Sequence, residues 1–392
     1  MATVLANATL ILPEGLLSGD IRWQGDRLQE VGRVSHAEAT VIDLAGAYVS
    51  PGLIDLHVHG GDGADFMDGT PAAFHTVCRC HLRHGTTRLT PTSTVARRHH
   101  YRRFLELCAV LKDQDTGGAR IVGAHLYGPF FARPARGCHP DGEFLSADDP
   151  EALTLLNYHR RLPLTVTVAP ELPGIEGLVR TFAPLGVRFN VGHSHATFEQ
   201  VAAALQWGVR HVDHLFCAMS DRARLRQTQP YPMRGGVLEA TLYFDQLTTE
   251  VIADGKHLAP ELLQLACKIK GPQRLAVVTD AMRAVDQPDG EYVFGPQDAG
   301  EPVRKADGVG LTRDGSALAS GVMGLDHAIR VLHLQAGIPL PQAIHMATLT
   351  PARILGVDDA FGSLQPGKRA DLVVWNRHLQ VEQVYVDGQR LW

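Results

Sequence analysis

The sequence predicts an α/β fold, a (β/α)8 TIM-like barrel carrying a small β-sandwich domain that both termini build together. Three observations carry this. Short apolar stretches alternate with longer helical ones eight times through the middle of the chain, the pattern of βα units around a parallel sheet. Both ends of the chain read instead as short strands broken by tight turns, with no helical period. No glycine-rich phosphate fingerprint follows the first apolar strand, which counts against a doubly wound dinucleotide fold with the same alternation.

In chain order, strands are expected at Val4 to Leu12, Gly19 to Gln24, Arg27 to Val31 and Ala39 to Leu44, separated by Pro13-Glu14-Gly15, Gly25-Asp26 and Gly32. The barrel strands then follow: Leu53 to His59, Thr86 to Thr92, Arg120 to Leu126, Leu164 to Ala169, Arg188 to His193, His211 to Leu215, Glu250 to Ala253 and Leu275 to Thr279. Helices fill the gaps at Pro71 to His84, Arg97 to Leu111, Pro150 to Arg161, Glu199 to Gln206 and Pro260 to Lys268. Ala370 to Trp375 and Val381 to Val386, before the Asp387-Gly388 turn, return to strand character. Residues 1–50 with 355–392 are therefore expected to form the small β domain, and 51–354 the barrel.

With 392 residues, 45% of them hydrophobic, the chain has ample material for a large core. A net charge of -5 and scattered Lys and Arg give no footprint for nucleic acid or for an anionic membrane. Cys78 and Cys80 form only a C-x-C pair and the other cysteines are isolated, so neither a disulfide framework nor a zinc knuckle is expected. The start lacks an export signal, and no run reaches the roughly 18 to 20 apolar residues that span a bilayer. A soluble protein of the reducing cytoplasm is the expectation.

The chemistry is concentrated at strand ends. In Leu53 to His59, Asp55, His57 and His59 alternate with apolar residues and so share one strand face, where two unpaired imidazoles are costly to bury. A metal ion satisfies both, although a hydrogen-bonded histidine pair does so too. Further strand ends carry His125 with Tyr127, Glu171, His193 with His195, His214, His257 and Asp280, which a barrel brings together at its C-terminal mouth. Imidazoles with one carboxylate suit zinc or another first-row divalent ion. Such an ion lowers the pKa of bound water and polarises a carbonyl, while a neighbouring carboxylate moves the proton. Asp280 is placed for that shuttle, its structural alternative being a helix N-cap; Glu171 is as readily structural as functional.

The assembled motifs resemble the amidohydrolase superfamily and, within it, the N-acetylglucosamine-6-phosphate deacetylases. They include Pro51-Gly-Leu-Ile-Asp-Leu-His-Val-His-Gly60, Gly123-Ala-His-Leu-Tyr-Gly-Pro-Phe130, Gly137-Cys-His139, Gly192-His-Ser-His-Ala-Thr197, His214-Leu-Phe-Cys-Ala-Met219, Ile252-Ala-Asp-Gly-Lys-His257 and Val278-Thr-Asp-Ala281. The resemblance implies a metal-dependent hydrolase of an N-acyl bond on an amino sugar, often a homodimer. It implies His57, His59, His193, His214 and Asp280 as metal ligands and Asp280 as the catalytic acid/base. It further implies His139 as the group polarising the acetamide carbonyl and His257 as a sugar contact, with Cys217 and Ala218 at the phosphate-holding turn.

Three departures bear on this reading. Tyr127 stands where the family has a metal-binding glutamate, so one ion, zinc or else Fe2+, is expected in place of two, with Tyr127 turned to the substrate or to water. Cys217 replaces an asparagine, and the family's phosphate-binding arginine is matched only by Arg234, shifted by one. A 6-phosphate is therefore expected to contribute little to affinity. Two other readings remain open: a mononuclear deaminase-like member, against which Glu199 stands one residue out of the His-x-x-Glu spacing, and a non-catalytic binding scaffold, against which the ligand histidines are intact.

Overall fold

The structure, a computed structural model, describes residues 2–112 and 114–392. Strands Leu53–Val58, Thr86–Pro91, Ala124–Phe130, Leu164–Val168, Arg188–Val191, His211–Val212, Thr248–Ile252 and Leu275–Val278 form a parallel ring. The first two pair in one sheet and the last six, in sequence order, in another. Bridges between Thr92 and His125 and between Val58 and Ala281 join the two sheets on both sides and close the barrel. The strands are rich in Val, Ile, Leu and Thr and buried almost throughout, as parallel strands under a ring of helices must be.

The helices begin where local chemistry predicts. Pro71–Arg83 starts on Pro71, with Thr70 Oγ1 accepting from the Ala73 amide at 3.2 Å, and Phe198–Trp207 starts on a capping box of Thr197 and Gln200. Arg98–Leu111 and Pro260–Lys270 also match expectation. The helix expected through Arg161 is α-helical only over Pro150–Leu156 and tightens into a 3-10 turn at Asn157–Arg160, where no side chain is buried to hold it against the barrel. Helices Ile175–Phe182, Val237–Tyr243, Leu325–Arg330, Leu340–Ala347 and Leu349–Leu355 were not marked by the sequence pattern. Nor was an antiparallel meander after the eighth strand, Gly290–Phe294, Glu301–Ala306 and Val309–Thr312, which brings Phe294 against His59 and His139.

Strands from both termini form one eight-stranded sheet. Its joint is Tyr48–Pro51, which pairs in parallel with Ala2–Leu12 and antiparallel with Leu372–Trp375. Ile11, Val373 and Trp375 of this sheet share a core with Leu53, Leu82 and Leu325 of the barrel. Arg88 of the second barrel strand fastens the two, bonding both carboxylate oxygens of Asp371 at 2.6 and 3.0 Å and Asp387 at 2.6 Å. All six cysteines are free, and among the described residues no helix is long and apolar enough to cross a membrane.

Candidate active site

The five candidate ligands meet at the C-terminal mouth of the barrel. His57 lies at the end of the first strand and His59 just past it, while His193, His214 and Asp280 lie just beyond strands five, six and eight with left-handed backbones, φ 45°, 23° and 46°. Left-handed non-glycine residues cost on the order of 1–3 kcal/mol each and persist where their surroundings hold them. Here the Asp280 amide donates to the His57 carbonyl and its own carbonyl accepts from Gly321, both at 2.9 Å, so the turn is locked to the first strand.

Backbone carbonyls fix the tautomers. His59 Nδ1 meets Thr92 O at 3.2 Å, His193 Nδ1 meets Ala135 O at 2.8 Å, and His214 Nδ1 meets Cys217 O at 3.2 Å. A carbonyl only accepts, so each Nδ1 carries the proton and each Nε2 presents a lone pair. His57 is held by its Nδ1 to Glu250 Oε1 at 2.8 Å. Its Nε2 lies 3.5 Å from Asp280 Oδ1, and that of His59 lies 3.1 Å from the same oxygen, yet neither buried nitrogen makes an aligned hydrogen bond. Buried imidazole nitrogens without hydrogen-bond partners, set against a carboxylate, suit a cation between them, and these three ligand atoms lie within 4.8 Å of one another. The donor set thus fits a first-row divalent ion.

The charges agree with that fit. Burial opposes ionisation of Asp280, but His57, His59 and His214 outweigh it and hold the carboxyl well below the usual range. Glu250 is likewise held low against burial by His211 and His57, its Oε2 meeting His211 Nε2 at 3.1 Å. Burial works against a charged His57, but Asp280 and Glu250 raise it to about 9, so the ring by itself is a cation facing Asp280, and a bound ion would take the place of its Nε2 proton. Burial keeps His193 and His139 well below their usual pKa, so both are neutral rings.

Tyr127 is fully buried, and its hydroxyl donates to His214 Nε2 at 2.6 Å. Burial pushes the phenol well above its usual value, so it stays protonated and occupies the lone pair His214 would offer an ion. His139 Nδ1 accepts from the Val95 amide at 3.4 Å, which leaves the proton on Nε2 as a hydrogen-bond donor on the cavity wall. The cavity, about 430 Å³, is lined by Tyr127, His139, Cys217, Ala218, His257 and Asp280 among others. His257 is set by Asp254, Nδ1 to Oδ2 at 2.7 Å.

Arg234 is not brought to this cavity. Its guanidinium pairs with Glu199 at 2.7 Å on the surface, because the segment after Met219 first forms the turn of helix Arg222–Leu225, which puts Arg224 on the cavity wall instead. Glu171 ties backbone together, accepting from Ser194 Oγ at 2.7 Å and from the His195 amide at 2.6 Å. Sequence reasoning passed over Arg224 and Glu250. The signal for Glu250 was a carboxylate in a strand otherwise fit for full burial, which demands buried partners. The cavity therefore offers a carboxylate able to accept a proton, an imidazole N–H able to polarise an oxygen, and nitrogens and a carboxylate able to hold a divalent ion.

Residues 48–391 match the amidohydrolase family. The chain is 32% identical over 389 residues to the N-acetylgalactosamine-6-phosphate deacetylase of Escherichia coli O157:H7, covering 99% of each chain. It is 33% identical over 378 residues to the N-acetylglucosamine-6-phosphate deacetylase of Vibrio furnissii, covering 94% of this chain and 91% of that one. Among solved structures, the N-acetyl-D-glucosamine-6-phosphate deacetylase of Mycobacterium smegmatis in complex with N-acetyl-D-glucosamine-6-phosphate superposes with a TM-score of 0.89 at 29% identity. That match covers 100% of this chain and 99% of that one.

Proposed function

The chain belongs to the amidohydrolase family, and we propose that it deacetylates an N-acetylated hexosamine, preferring its 6-phosphate ester. The observation that carries this is the cavity itself: Asp280 and the His139 Nε2–H line one space with His257 and the unpaired guanidinium of Arg224. Relatives of nearly the same length carry the corresponding activity in their names.

His57, His59 and Asp280 would hold a single divalent ion, zinc in the first instance, with His193 beside them. Tyr127 argues against a second, since a neutral phenol offers no charge to offset the repulsion of two ions and already engages His214. When bound, the ion supplies Lewis acidity and makes water nucleophilic near neutral pH. Asp280 accepts the proton of the attacking water and delivers it to the departing amine. His139 donates its Nε2–H to the acetamide oxygen as charge develops there. Tyr127 keeps the His214 ring fixed by its hydroxyl. His257, oriented by Asp254, donates to sugar hydroxyls, and Arg224 meets the phosphate, revising the expectation that a phosphate contributes little. The deaminase alternative loses its acid, because Glu199 lies on the surface paired with Arg234.

The test measures acetate and ammonia from N-acetylglucosamine 6-phosphate, N-acetylgalactosamine 6-phosphate and the free sugars. Acetate equimolar with new amine, no ammonia, and about a hundredfold phosphate preference in kcat/KM that Arg224→Ala largely removes are the expected results, charge-assisted bonds contributing about 1.5–3 kcal/mol each. Asp280→Asn should lower kcat by about 10² to 10⁴ with the fold intact. Ammonia release, or turnover in Asp280→Asn near that of the parent, would overturn the reading.

A further inference from the structure

We infer that the end of the barrel where the strands begin holds a second ligand site, which takes a small organic phosphate. A cavity of about 450 Å³ opens there, lined by Arg188, Arg210, His211, Thr248, Gln273 and Arg353 among others. Arg188 and His211 begin strands five and six, Thr248 begins strand seven, and Arg353 comes from helix Leu349–Leu355. The candidate active site is built on the opposite ends of these strands, and the two cavities share no lining residue.

Among the described residues, three guanidiniums and no carboxylate line this space. Arg188 is half-buried, with Nε 3.4 Å from Thr165 Oγ1 and one terminal nitrogen 3.0 Å from the Leu355 carbonyl; burial with no acidic partner lowers its pKa. Arg210 spends one nitrogen on the carbonyls of Leu205 and Val209, both at 2.7 Å, and Arg353 comes no closer than 3.8 Å to Asp358. Two buried carboxylates that bond the lining residues Asn190 and His211 are already engaged: Asp213 by Thr167 and Asn190, Glu250 by His57 and His211. Arg188 carries its charge into the cavity with no acidic partner, and the exposed residues Arg210 and Arg353 add theirs, Arg353 with only Asp358 at 3.8 Å, so an anion held among the three gains from each.

The lining also identifies the anion. Guanidinium forks match phosphate oxygens, Gln246, Gln273 and Thr248 suit hydroxyl groups, and Phe189 with Ile354 gives an apolar wall. The volume far exceeds that of bare phosphate and suits the monophosphate ester of a small polyol. Its occupant would touch the His211 ring, which is joined through Glu250 to His57, two hydrogen bonds from the candidate metal site.

Calorimetric titration of the metal-loaded protein with glucose 6-phosphate, which has no acyl group to hydrolyse, tests the site against inorganic phosphate and glucose. The ester should bind more tightly than phosphate, and glucose should not bind. That binding should persist in Arg224→Ala and weaken at least tenfold in the double variant Arg210→Gln, Arg353→Gln. Both side chains belong to exposed residues, and circular dichroism with an unchanged melting temperature checks the fold. Selenate-soaked crystals should show an anomalous peak against Arg188. Binding abolished by Arg224→Ala and untouched in the double variant would place the ester in the catalytic cavity and overturn the inference, as would equal binding of glucose or no binding at all.

Discussion

His139 has a single proton to give, and the Val95 amide decides where it is. Because that amide donates to Nδ1, the neutral ring presents Nε2–H to the cavity, the state needed to polarise a carbonyl. His139→Asn should therefore reduce kcat by about 10² to 10³ while leaving KM and metal content near those of the parent, as steady-state kinetics and elemental analysis would read. Glu250 works one shell further out, orienting His57. Glu250→Gln should weaken metal affinity about 10 to 100-fold in a chelator competition, and an unchanged affinity would reduce Glu250 to a structural partner of His211. At this scale His57, His59 and Asp280 were legible because strand periodicity and strand ends position them. Glu250 was not, since a lone mid-strand carboxylate matches no motif and its partners come from other strands. Arg234 was expected at the cavity and Arg224 passed over, because their placement depends on how one irregular segment folds.

Among the elements, all eight barrel strands emerged from short apolar runs, since parallel strands covered on both faces need continuous apolar character. The third, however, expected at Arg120 to Leu126, runs Ala124–Phe130 after a separate short strand Arg120–Ile121, and the sixth, expected through Leu215, ends at Val212. The strand Tyr48–Pro51 escaped notice: four residues ending in proline carry little pattern, yet they join the two termini. The meander after strand eight was equally hidden, its strands being half exposed and short. The link from barrel to terminal sheet makes a prediction of its own. Arg88 is 7% exposed and depends on Asp371 for two of its hydrogen bonds, so Asp371→Ala leaves a buried guanidinium with Asp387 as its remaining close carboxylate. Urea unfolding at fixed metal concentration should show a loss of about 3 kcal/mol. A loss below about 0.5 kcal/mol would mean that the pair behaves as a solvated surface bridge.

For the whole molecule, the ring of strands gathers side chains from residue 57 to residue 280 into one mouth, with Glu250 and the carbonyls of Thr92, Ala135 and Cys217 setting each imidazole. The fold class followed from the alternation taken with the strand-like termini and the missing glycine-rich fingerprint; the division of labour within the site did not, because it rests on which nitrogen is free to meet an ion. That division leaves His57, His59 and Asp280 open to one ion while Tyr127 engages His214. Elemental analysis of protein purified without chelator, paired with anomalous scattering at the metal edge, tests this most directly. One ion per chain beside His57, His59 and Asp280, with a second gained in Tyr127→Glu, is the predicted result; two fully occupied ions per wild-type chain, or an ion held by His193 and His214 away from Asp280, would contradict it.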